Sequence, residues 1–222
     1  MKKLIASLFF IIFFSVNSFA QHGGGVALFV PLTGSFAFAD LRGLDNSKID
    51  ILKSSSSFDF GVLVQPGYFY DFGGLLGFDV LADIGYYRSS YKYINSQEAK
   101  IVSYTFDTLN TGAMFRVTFL VLSLGIGAGA KIPLAANLQD GDYNAKLNAD
   151  EIKKSFTSAV IPYLKFTIDF KYNLSSFAAI AAGLYFNYDF AMNYKHPSYS
   201  RYNIHSFDFG VQIGTYLVGT SY

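Results

Sequence analysis

An all-β fold is what this sequence predicts, and within that class an eight-stranded antiparallel up-and-down transmembrane β-barrel with long outer loops and short periplasmic turns. Three observations carry the expectation. Successive segments alternate residue by residue between an apolar and a polar or small set. The links joining them alternate between long and short. Charge collects in the long links and on one parity of the segments. Period-two alternation means a strand with two unlike faces.

The opening strand is placed at Gly25 to Thr33. From Ser57 to Tyr70, Phe58, Phe60, Val62, Val64, Pro66 and Tyr68 oppose Asp59, Gly61, Leu63, Gln65 and Gly67. After the tight turn at Asp71-Phe72-Gly73-Gly74, Leu76 to Arg88 sets Phe78, Val80, Ala82 and Ile84 against Gly77, Asp79, Asp83 and Gly85. The fourth strand, around Tyr104 to Val117, opposes Leu109, Ala113 and Phe115 to Asn110, Gly112 and Arg116. The fifth opposes Leu120 through Ala130 to Ser123, Gly125, Gly127 and Gly129.

In the sixth, Val160, Pro162, Leu164, Phe166 and Ile168 alternate with Tyr163, Lys165, Thr167, Asp169 and Lys171. Past Asn173-Leu174-Ser175, Ile180 through Phe190 oppose Ala181, Gly183, Asn187 and Asp189. The last strand sets Phe207, Phe209, Val211, Ile213 and Leu217 against Ser206, Asp208, Gly210 and Gln212. The links 35–56, 89–100, 132–156 and 192–203 are long and the others are a few residues, as in membrane barrels with outer loops and periplasmic turns. Ten strands would follow if 132–156 hid a hairpin.

Composition agrees. The chain has 222 residues, 51% hydrophobic and 18% aromatic, with 15% charged and no Cys. Soluble domains carry about 25% charged residues. Lys2 and Lys3, the apolar run Leu4 to Phe14 and the small-residue end Ser18-Phe19-Ala20 read as a signal peptide over 1–20, cleaved before a barrel domain over 21–222. Without Lys2 and Lys3 the chain holds 15 basic and 16 acidic residues, which leaves no electrostatic footprint for nucleic acid. The apolar stretch Val117 to Ala130 is too short for a spanning helix, which needs about 20 residues. Gly23-Gly24-Gly25 reads as a flexible lead-in; no helix follows it, so it is not a phosphate loop.

Of the 31 charged residues past the leader, 20 fall in the four long links, counting from Arg88 and Lys131. Of the remaining 11, only Asp107 lies on the apolar parity, near a loop end. An ionised side chain facing mid-bilayer hydrocarbon costs about 2 to 4 kcal/mol, and this placement avoids that cost. The leader, eight amphipathic strands and long outer loops together resemble the small outer-membrane barrels of the OmpX, opacity-protein and OmpA-transmembrane type. The likeness covers nearly the whole mature chain and is architectural, with no signature motif. It implies outer-membrane lipid and the barrel-assembly machinery as partners, with Gly214, Tyr216 and Tyr222 as the candidate assembly signal. Tyr216 and Tyr222 lie on the parity opposite to Phe207 through Leu217, which calls for a bulge near Leu217 or a weak signal.

An eight-stranded barrel holds side chains or one small ligand. The inward set is Asp59, Asp79, Asp83, Asp169, Asp189 and Asp208 against Arg116, Lys165 and Lys171, with Lys131 at the rim. It reads as a paired ion and hydrogen-bond network, with a proton or cation path as the sharper possibility. Asp189 and Asp208 are equidistant from the tip of the final loop and need a cation, a shared proton or a register offset.

His205-Ser206 with Asp208 is the best catalytic fragment, but neighbours on a strand point to opposite faces, so no enzyme is expected and His205 belongs to the aromatic belt. His22 and His196 have no metal-ligand spacing, and no cofactor is implied. The Ser- and Tyr-rich segments at 53–56, 86–93 and 194–202 read as outer loops, suited to rim anchoring or to an extracellular ligand or host surface. The function expected is a structural or surface-interaction role. The alternatives are a narrow channel or carrier for a small hydrophobic ligand, and a soluble periplasmic lipocalin-like barrel with the faces inverted.

Overall fold

A computed structural model describes residues 22–219 apart from 73, 74, 159, 176 and 196, with the side chains of 22 and 191 also outside the description. The leader, Tyr222, His196 and Gly73-Gly74 therefore fall outside the described residues.

The strands are β1 (His22–Gly43), β2 (Lys48–Ile49), β3 (Leu52–Phe72), β4 (Leu76–Asn95), β5 (Lys100–Phe119), β6 (Leu122–Asp140), β7 (Tyr143–Asn148), β8 (Ile161–Asn173), β9 (Ala178–Asn193) and β10 (Tyr199–Val218), with a helix α1 (Ala149–Ser155) after β7. Eight of them form a closed ring in the order β10-β9-β8-β6-β5-β4-β3-β1, sealed by antiparallel pairing of β10 with β1 from Gly25↔Val218 to Gly43↔Tyr199. The segment 132–156 does hold a hairpin, since β7 pairs with the upper part of β6. It lies against the ring as an extra strand, so the barrel count stays at eight.

The alternation has the sense a transmembrane barrel requires. Outward residues such as Phe58, Val62, Val80, Ile84, Ile126, Leu164, Phe166 and Phe209 are exposed, while Asp59, Asp79, Asp83, Asp169 and Asp208 on the opposite parity are buried. On β4 the outward apolar run from Leu76 to Tyr86 climbs roughly 25 Å, at about 3.3 Å per residue and a tilt near 40°. That is the height of a bilayer-facing band. It ends where Arg88 pairs in register with Asp107, which accepts a 2.5 Å hydrogen bond from the Tyr86 hydroxyl. A surface this apolar facing outward and charges this buried facing inward exclude the inverted lipocalin-like arrangement.

The long links are where expectation and structure part. Strands β1, β3, β4, β5, β6 and β10 run on above the band, so most of the expected loop residues are paired wall. Gly23, Gly24 and Gly25 belong to β1, which ends at Gly43 and not at Thr33. Only the tips turn: Asn46, Ala99 and Gly141 carry positive φ of 66°, 53° and 57°. Register shifts at Ser55/Phe60, Asp107/Thr108 and Ile204/Ser206 fall around the upper edge of the band. Bulges are at home on barrel rims. The shift expected near Leu217 is absent, because β10 keeps one register with β1 from Arg42↔Arg201 down to Gly25↔Val218.

Candidate functional site

The inward parity stacks three layers. The lowest is apolar with two cations set in it. Phe29, Phe69 and Tyr216 meet edge to face, at 5.5 Å between the Phe29 and Tyr216 centroids and 5.9 Å between Phe69 and Tyr216. The Arg116 guanidinium lies 4.5 Å from the Phe29 centroid, and the Lys171 ammonium 4.5 Å from that of Tyr216. The fully buried Arg116 contact is a cation held against an aromatic face in a dry setting, worth about 2 kcal/mol, while Lys171 is half-buried and its contact is weaker. Tyr216 is thus inward and fully buried, which explains its parity without a bulge. Gly214 leaves room for Phe29, whose Cδ1 would lie 2.5 Å from any added Cβ. Asp79 faces this layer beside a cavity of about 50 Å³ that Lys171 and Thr118 also line. Such a space suits water among polar groups.

The middle layer is a hydrogen-bonded chain. Arg116 Nη2 donates to Gln65 Oε1 at 2.6 Å, and Gln65 Nε2 donates to Asp83 Oδ1 at 2.7 Å. The other Asp83 oxygen accepts from Tyr163 at 2.6 Å and from Lys165. Asp169 accepts from Gln212 at 2.7 Å and stands 4.0 Å from Arg116 Nε.

In the upper part of this layer, Lys131 is fully buried and is the centre of a second cluster, not a rim residue. Its ammonium is 2.7 Å from Asp189 and 3.7 Å from Asp208, and it donates to Ser89 Oγ at 2.9 Å. Asn187 Nδ2 donates to both carboxylates, at 2.8 and 2.9 Å. Tyr91 adds a 2.9 Å bond to Asp189, and Asp59 accepts from the Ser90 amide at 3.0 Å. The Asp189/Asp208 problem is resolved twice over. Lys131 sits between them, and the shift at Ile204/Ser206 pairs Asp208 with Asn187 and Asp189 with Ser206.

The candidate interior residues therefore line the lumen and fall into two polar clusters plus the cation and aromatic floor. In the sequence Lys131 abuts a segment with the pattern of a loop, which sets it at the rim and hides its central place.

The third layer lies above the bilayer band and is apolar again. Leu41, Tyr91, Tyr93, Tyr104, Phe106, Ile152, Phe156, Met192, Tyr202 and Ile204 form one buried cluster. Tyr87, Tyr91 and Tyr93, expected on a loop, point into the lumen and are fully buried. Helix α1 helps to close the top, its Ile152 buried and its start fixed by a capping box between Asn148 and Glu151. Over this cap is an open-topped cavity of about 250 Å³ lined by tyrosines from β5, β7, β10 and the link between β9 and β10. Burial pushes the Tyr104 and Tyr202 phenols up from their ordinary value, and the two hydroxyls bond each other at 3.1 Å.

The His205-Ser206 fragment does not assemble. Ser206 Oγ is inside, 3.2 Å from Asp189, while His205 meets the Tyr188 hydroxyl at 3.3 Å on the outer wall. Among the described residues no group of three or more His, Cys, Asp or Glu could hold a metal.

No family model matches the chain, and no curated protein does. Among solved structures it is similar to Neisserial surface protein A (15% identity, 87% of this chain and 99% of that one, TM-score 0.42). It is also similar to the outer membrane protein OprG from Pseudomonas aeruginosa (12%, 91% and 100%, 0.45). A third is the outer membrane protease OmpT from Escherichia coli (11%, 90% and 97%, 0.43). None of these values assigns an activity.

Proposed function

We propose that the chain is an integral outer-membrane barrel with a closed lumen, whose role is structural or a surface interaction made by its rigid outer end. The observation that carries this reading is the continuity of the filling. A floor of rings and cations, the Asp83 and Lys131 clusters and the aromatic cap with Ile152 and Phe156 follow one another along the lumen. A solute path would have to break ion pairs whose separation in a dry interior is strongly opposed. Catalysis has no support in a serine committed to Asp189 and a histidine on the other face. The apolar band takes outer-membrane lipid as its solvent. The barrel-assembly machinery is the partner we propose for insertion, with Gly214, Tyr216 and Tyr222 as the residues it would read. The partner proposed for the outer end is an extracellular ligand or host surface.

The test is heat-modifiable gel mobility of the refolded protein together with single-channel recording in a planar bilayer. A compact band that shifts on boiling, with no conductance steps, supports a closed barrel. Steady conductance steps overturn it and promote a narrow channel.

A further inference from the structure

The lumen holds more acids than bases, and the geometry locates the excess. Asp59, Asp79, Asp83, Asp169, Asp189 and Asp208 face inward and are at most 2% exposed. The cations among them are Arg116, Lys131 and Lys165, with Lys171 at the floor. Six acids thus meet four positive charges. Four of the acids have a cation within 4.0 Å: Asp83 pairs with Lys165, Asp169 with Arg116, and Asp189 and Asp208 share Lys131. Asp59 and Asp79 have no cation that close among the described residues. Each also keeps a carboxyl oxygen, Asp59 Oδ1 and Asp79 Oδ2, buried without a hydrogen bond.

The surroundings of the two do not make up the charge. Asp59 on β3 is met by Tyr87 from β4, Asp208 from β10 and Lys131 from β6, and that ammonium already stands between Asp189 and Asp208. Thr33, its partner on β1, carries no charge. Asp79 on β4 is met by Asp71 from β3, Arg116 from β5, Lys171 from β8 and Tyr216 from β10. Arg116 is engaged by Gln65 and Asp169, and Lys171 lies over the Tyr216 ring at the mouth it shares with Asp71. A buried carboxylate without a close cation is costly enough that the group gives up its charge instead. The cavity of about 50 Å³ beside Asp79 has room for a water to receive a hydrogen bond from the acid.

We propose that Asp59 and Asp79 are uncharged carboxylic acids at neutral pH, two proton-binding sites that bring the lumen to four positive and four negative charges. Both sites presuppose the closed, dry lumen proposed above. They link folding to protons, because an aspartate in the unfolded chain loses its proton above about pH 4. Near neutrality the folded barrel then holds two more protons than the unfolded chain, and its stability falls as pH rises, each proton moving the unfolding equilibrium about tenfold per pH unit. Alkaline surroundings loosen such a barrel from within.

The experiment is infrared spectroscopy of the full chain at neutral pH, refolded in deuterated buffer with a maltoside detergent, which has no carbonyl of its own. The carbonyl stretch of a protonated acid stands apart from the bands of ionised carboxylates and of the backbone. The parent should show this acid band, with about half of it lost in Asp59→Asn and half in Asp79→Asn. In urea titrations between about pH 5 and 7, each variant should shed about tenfold per pH unit of the parent's dependence. Folding of each variant is checked by heat-modifiable mobility, and the parent's own band decides the matter if a variant fails to fold. No acid band in the parent, a band that neither substitution touches, or an unchanged pH slope in both variants would overturn the proposal. Stabilisation by sodium without an acid band would also overturn it and give the missing charge to a bound cation. Conductance steps in a planar bilayer would instead fault the closed lumen, so the two failures are told apart.

Discussion

Removing the Lys131 ammonium is the most direct perturbation of the interior. In Lys131→Met the stem volume stays, but Asp189 and Asp208 lose the cation at 2.7 and 3.7 Å. At an effective dielectric of about 20 those contacts correspond to about 6 and 4.5 kcal/mol of attraction. Dehydrating the ammonium costs several kcal/mol, which offsets a large part. The expected net loss is about 3 to 5 kcal/mol, the range seen when a buried ion pair is left with one partner. The assay is urea unfolding of the refolded barrel, followed by tyrosine fluorescence and gel mobility. Adding Asp189→Asn should return at least half of the loss, because the amide still accepts from Tyr91 and Ser206. A Lys131→Met barrel within about 1 kcal/mol of the parent would refute the idea that this cluster is charged and paired.

Other outcomes follow from the same geometry. Ile126→Arg, on the outward face near mid-band, should cost about 2 to 4 kcal/mol in vesicles, whereas Ser54→Arg above the band should be silent in the same urea titration. Gly129→Ala should destabilise by at least about 1 to 3 kcal/mol, since the added Cβ would overlap the Thr111 carbonyl oxygen and lie 2.8 Å from the Tyr163 hydroxyl that holds Asp83; a parent-like melting curve would count against that packing. Asn148→Ala should cost about 1 kcal/mol locally, read as faster proteolysis within 149–156 with gel mobility unchanged. Loss of the folded band would show instead that the barrel depends on α1.

The strands inside the bilayer were legible because lipid outside and polar filling inside give each parity one sign. Above Arg88 the surroundings exchange roles while the parity continues. On β4, Asp79 and Asp83 face inward below and Tyr91 and Tyr93 face inward above; on β5, Arg116 and Asn110 give way to Phe106 and Tyr104. A reader expecting apolar outside sees the alternation fail there and writes a loop. The bulges at Asp107/Thr108 and Ile204/Ser206 blur the period further. That Asp189 and Asp208 needed a cation or an offset was legible from their distance to the loop tip. That Lys131 would be the cation was not, because the residue sits at that change of sign. The tyrosine-lined cavity over the cap joins residues from distant segments, and no spacing in the sequence announces it.

The walls that rise above the band have a consequence for variation. Beyond Arg88, β4 continues to Asn95, a further climb of roughly 15 to 20 Å. Whatever is displayed at the turns around Asn46, Ala99 and Gly141 stands on paired strands, at a height and spacing that thermal motion of a loop would not keep. A peptide grafted at one of these tips would be presented like an object on a mast, clear of the lipid headgroups. Sequence change in such a protein is free at the tips and costly one residue below them, where every second side chain belongs to the cap.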